Sequence, residues 1–150
     1  MTRRNDHAMA HVSKMAFLLC AAVLATPISA TASGHDKQEL IGDWRGATTD
    51  KQESNQINVS VDMQITQVKI NEKGGRFHFG PPRSCEMSMI YKDSGPNDSF
   101  QFYLVESHGG FCDRLNNALV TFHFDSSQLG FAIASIGTYK GEHGMLKKGE

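Results

Sequence analysis

The residues that could carry chemistry in this 150-residue sequence are few and scattered. His108-Gly109-Gly110 has the composition of an oxyanion loop, in which backbone N–H groups face a developing alkoxide. No Gly-x-Ser-x-Gly nucleophile elbow accompanies it, so the run reads as a glycine turn. Cys112 lies close to His108 and Asp113, a set that acts as a nucleophile only if the sulfur is a free thiolate. His78 and His123, each between two phenylalanines, would face outward and offer only two metal ligands, too few for a zinc site. His35 and His143 lie near the chain ends without ligand spacing. The pairs Glu86 with Glu106 and Asp43 with Asp62 have the carboxylates that acid–base work needs, yet acids on outward strand faces are ordinary solvated surface. These residues read as a protein that is not an enzyme and that holds no cofactor and no metal.

Whether Cys112 is reactive depends on compartment. Residues 15–25, MAFLLCAAVLA, form an apolar run of eleven preceded by Arg3, Arg4 and Lys14 and followed by Pro27 and Ala30-Thr31-Ala32. A basic start, a short apolar stretch and a small-x-small site make a secretory leader over 1–32, with cleavage near Ala30 to Ala32. At about 1.5 Å per helical residue the run reaches about half of a hydrocarbon core of about 30 Å, so no permanent membrane span is expected. Arg3-Arg4 lacks the residues that follow a twin-arginine pair, and Cys20 lacks the small residue that precedes a lipoprotein cysteine. The expected address is the periplasm or beyond the cell. Without the leader, Cys85 and Cys112 remain, an even pair in an oxidising compartment, and a disulfide is expected. The chain-entropy account assigns such a loop roughly 3 to 4 kcal/mol. With 15 basic against 16 acidic residues there is no clustered positive charge for nucleic acid.

The elements that must position these residues are strands. Residues 33–39 are polar and without period and read as a disordered tail, with structure starting at Leu40. From Gln56 to Thr66 apolar residues occupy every second position, Ile57, Val59, Val61, Met63 and Ile65, the pattern of a half-buried antiparallel strand. Val68 and Ile70 continue on the opposite parity, which requires a bulge or a bend near Thr66-Gln67 if both face the core. Turns are expected at Lys73-Gly74-Gly75, Gly80-Pro81-Pro82, 94–98 and 125–130, and a longer loop from His108 to Asn117. The last strands are expected over 131–136 and near 145–147. About eight such segments without helical periodicity predict an all-β domain over 40–150, a closed antiparallel meander barrel that leaves no edge exposed. Phe77, Phe79, Met87, Met89, Phe100, Phe102, Phe122 and Phe124 would point inward. They either line a site for a small apolar ligand or fill the interior, and the width of an eight-stranded barrel favours filling.

The run Leu40-Ile41-Gly42-Asp43-Trp44-Arg45-Gly46 resembles the first strand of lipocalin-like barrels, the calycin group that includes the avidins. The resemblance implies that Trp44 closes the narrow end and that Gly42 permits close approach of chains. Trp44 is the only tryptophan, so the several-tryptophan biotin pocket of avidins is not implied. The export signal, the cysteine pair and the size are also similar to the periplasmic inhibitors of C-type lysozymes. The run Ser135-Ile136-Gly137-Thr138-Tyr139 shares residue types with their inhibitory loop but not its spacing. In that likeness Ser135 and Lys140 would donate hydrogen bonds to the two carboxylates of a glycosidase. Two functional expectations follow: a carrier for a small apolar ligand, or a periplasmic protein-binding module of inhibitor or immunity type. For the second, the contact residues are Arg83, Phe111, Arg114 and Tyr139, on loops carried by a rigid scaffold.

Overall fold

Alternation by two puts Val59, Val61, Met63 and Ile65 on one face of their strand and Asn58, Ser60 and Asp62 on the other, and the first set is buried. Every later strand repeats this division, so each carries one face that must be covered. A computed structural model, which describes residues 34–50 and 57–150, shows how they cover one another. The strands are β1 (Gly42–Asp50), β2 (Ile57–Ile65), β3 (Lys73–Phe79), β4 (Cys85–Gly95), β5 (Ser99–Val105), β6 (Leu119–Asp125), β7 (Gln128–Ile133) and β8 (Glu142–Lys148). Each pairs antiparallel with the next, and β8 returns to β1, giving a closed eight-stranded meander barrel. The expected leader and its cleavage region at Ala30 to Ala32 lie outside the described residues. Among the described residues no helix is long and apolar enough to cross a membrane.

Aromatic side chains fill the interior. Phe77 meets Phe79 and Phe131 at ring-centre distances of 5.0 and 5.4 Å, and Phe102 meets Tyr91 and Phe122 at 5.1 and 5.5 Å. Met87 and Met89 are fully buried beside them. Edge-to-face packing at these distances lets the positive rim of one ring face the negative face of the next. Phe124 differs from the expected inward set: it is half-buried and lies at the end of the barrel where β1 begins, stacked on His35 at 4.3 Å.

The bulge expected near Thr66-Gln67 is present, since the N–H groups of both residues donate to the Gly74 carbonyl, at 2.8 and 3.3 Å. It turns Val68 inward. Ile70 does not follow: it sits in the turn beyond the sheet, 58% exposed, where no strand remains to cover it. Lys73-Gly74-Gly75 is strand and not turn. The glycine at 75 serves close approach, because a Cβ there would lie 2.0 Å from the Gln64 carbonyl of β2. The 125–130 turn shrinks to Ser126-Ser127 because Gln128, Leu129 and Gly130 pair with β6. β7 therefore ends at Ile133, and β8 is longer than expected. The polar segment before Leu40 carries a 3-10 turn, Lys37–Leu40, capped by Asp36.

Candidate functional site

Among the described residues three connections leave the end of the barrel where β1 finishes: 80–84, 106–118 and 134–141. The longest contains a 3-10 turn, Gly110–Leu115, whose Cys112 and Leu115 are buried. Cys112 is bonded to Cys85 at the start of β4, across 27 positions of sequence. This cross-link fixes the turn to the rim, and it removes the thiolate that a Cys112–His108–Asp113 nucleophile would require.

Pinning Cys112 and Leu115 leaves Phe111 and Arg114 at the surface of the turn. The Arg83 guanidinium lies 3.9 Å from the Phe111 ring centre and 5.1 Å from that of Phe79. At such distances a cation is attracted to the ring face, more strongly where water is excluded. The guanidinium also donates to Glu142 Oε1 at 2.7 Å; the two side chains are 8% and 2% exposed. Phe111 in turn meets Tyr139 edge-on at 5.9 Å. Arg83, Phe111 and Tyr139 thus form one cluster, while Arg114 is exposed outside it on the same turn as Phe111. Glu142 is the member that sequence reasoning missed. Its signal was parity: Leu146 marks the inward face of β8, and Glu142, four residues earlier, lies on that same face.

The 134–141 connection ends in a small hairpin. Ile136 and Tyr139 exchange backbone hydrogen bonds, Ile136 N to Tyr139 O at 3.1 Å and Tyr139 N to Ile136 O at 2.9 Å. Gly137 and Thr138 form its exposed tip, with Gly137 at a φ of 55° that favours glycine. The Ser135 hydroxyl donates to the Lys140 carbonyl at 2.8 Å, so it ties the base of the hairpin, whereas the Lys140 side chain is exposed.

At the opposite end Trp44 is buried, and its indole N–H donates to the Leu40 carbonyl at 2.8 Å. Gly42 has a φ of 139°, and a Cβ there would meet the Lys148 side chain. Phe124 lies edge-on to Trp44. His35 bonds Glu39 at 2.8 Å, and this contact, with the Asp36 N–H second, holds the Glu39 carboxyl below the usual glutamate range. Glu106 is also lowered, by a hydrogen bond from Lys73 and then one from Ser88.

The remaining sequence candidates stay apart. His108-Gly109-Gly110 opens the 3-10 turn, with Gly109 N donating to Ser107 Oγ at 3.1 Å and Ser107 donating to Asp113 at 2.6 Å. His78 on β3 and His123 on β6 are not on neighbouring strands. Glu86 pairs with Arg76 at 3.7 Å and Glu106 with Lys73. Asp43 accepts from Gln64 at 2.9 Å, and Asp62 pairs with Arg45 at 3.4 Å. Asp43, Asp62 and Glu86 line an open depression on β1 to β4, where each acid already meets a polar or cationic neighbour. No group of three potential metal ligands occurs among the described residues. Compared with known proteins, the chain matches no family model, no curated protein and no solved structure.

Proposed function

We propose that this is an exported binding protein without enzymatic activity, which works through the loop end of its barrel as an inhibitor- or immunity-type module seated in a partner enzyme's cleft. The observation that carries the reading is the paired hairpin of 134–141, braced by Tyr139 against Phe111 on a turn pinned by the disulfide. A protruding segment already held in one shape loses little conformational entropy on insertion into a cleft. The ring-filled interior supports a surface, rather than a lumen, as the working part. Lys140 and Arg114 are exposed at this end and carry donors that suit carboxylates. A cleft with two catalytic carboxylates, as in a glycoside hydrolase, fits that chemistry. The likeness to inhibitors of C-type lysozymes points to the same partner class, with Lys140 as donor and Ser135 as a brace of the hairpin.

The test is inhibition of a C-type lysozyme by the exported protein, with Lys140→Ala, Phe111→Ala and Arg114→Ala beside the wild type. The expected result is stoichiometric inhibition that weakens by about tenfold, or about 1.4 kcal/mol, on loss of Lys140. A lysozyme left fully active retires that partner. Inhibition unchanged by all three substitutions retires the loop end as the contact.

A further inference from the structure

We infer that the Arg83–Glu142 ion pair is a positioning device that aims the 134–141 hairpin for recognition; the inference rests on the loop-end reading above. The pair is costly where it stands. Both side chains are more than nine-tenths buried, and attraction between buried ions offsets their lost hydration only when the remaining hydrogen-bonding capacity is met. Here it is not met. Glu142 Oε1 accepts from Arg83, but Oε2 has no hydrogen-bond partner among the described residues. An apolar pair of similar volume would hold the rim at least as firmly. What it would not supply is direction, since a charge-assisted N–H···O contact fixes distance and angle together.

The parts joined by this contact are the parts the reading needs. Arg83 belongs to the 80–84 connection, Phe111 to the turn pinned by Cys112, and Glu142 begins β8 directly after the hairpin. All three meet at one guanidinium. The far side of the contact is Tyr139, which touches Phe111 and closes the hairpin through its N–H to Ile136 O. The barrel itself does not depend on this arrangement, because β3–β4 and β7–β8 are already joined by their own ladders.

The experiment replaces both ions, Arg83→Met with Glu142→Leu, and reads three quantities: the thermal midpoint, amide exchange at Ile136 and Tyr139, and affinity for a C-type lysozyme. The expected result is a midpoint equal to or above that of the wild type, exchange at those two amides faster by about tenfold or more, and affinity lowered by about tenfold or more. The amides of β4 and β5 keep their protection. Unchanged exchange at Ile136 and Tyr139 overturns the inference, and so does a lowered midpoint with faster exchange throughout the barrel, which marks a purely structural pair. Glu142→Gln, which keeps shape and one acceptor, is expected to loosen the same two amides and decides the matter if the double variant fails to fold. Should the wild type not bind lysozyme, the partner reading falls, while exchange at the two amides still decides whether the pair positions the hairpin.

Discussion

Where β1 begins, Leu40, Trp44 and Phe124 close the barrel with apolar contact, and the buried indole N–H is met by the Leu40 carbonyl at 2.8 Å. Where β1 ends, the rim is closed instead by a buried ion pair, edge-on rings and a disulfide, and a carboxylate oxygen of Glu142 has no hydrogen-bond partner among the described residues. The connections differ in the same sense. The two longest described connections, 106–118 and 134–141, extend from the second end, whereas the first carries 66–72 and the short turns at 96–98 and 126–127. A neutral seal gains stability from burial and leaves no polar debt. A charged seal gains less and specifies more, which is the arrangement expected where geometry must be held for a partner.

Three changes would break or sharpen that contrast. Trp44→Ala removes the largest side chain of the apolar seal and is expected to cost about 4 kcal/mol in chemical denaturation while leaving partner affinity unchanged. A cost below about 1 kcal/mol would mean that the seal can collapse into the space. Cys85→Ser with Cys112→Ser cuts the link that holds the loop end, with an expected loss of about 3 kcal/mol by thermal unfolding. Unlike Trp44→Ala, it also weakens binding, because Phe111 loses its anchor. If both ends answered alike in affinity, the division of labour would be wrong.

The smallest effect is that of acid. The carboxyls of Glu39 and Glu106 are lowered in the fold, so the stability they contribute is present above the ordinary glutamate value of 4.5 and is lost as the pH falls through their lower folded values. Both groups are exposed, and the effect is correspondingly slight. Glu39 caps the turn that ends at Leu40, so emission from Trp44, the only tryptophan, is expected to change below pH 4.5 before the barrel unfolds. Emission that changes only together with global unfolding would show that the turn and the barrel are one cooperative unit.

Much of the fold was legible in the residues. Period-two alternation in 59–65 and in Cys85, Met87, Met89 and Tyr91 is local steric geometry, and each inward set is buried as expected. The bulge at Thr66-Gln67 followed from a change of parity. Ile70 and the glycines at 74 and 75 misled, because the same types serve a turn tip or a close strand contact, and only the position of β2 tells them apart. Of the site, Arg83, Phe111 and Tyr139 were visible as loop residues of the right chemistry, but Arg114 stands apart from their cluster and Glu142 was passed over.

The chain's own order of residues determined the all-β class, the number and faces of the strands, and the pairing of the two cysteines that follow the apolar run at 15–25. Each of these depends on neighbours in sequence or on counting. Tertiary structure alone decided that Arg83 meets Glu142, 59 positions away, and that Phe111 lies between Arg83 and Tyr139. Such meetings depend on the stagger accumulated around a closed barrel, and no local periodicity carries that sum. The strand order likewise put His78 and His123 on β3 and β6, which are not neighbours in the barrel, although their flanking residues are alike.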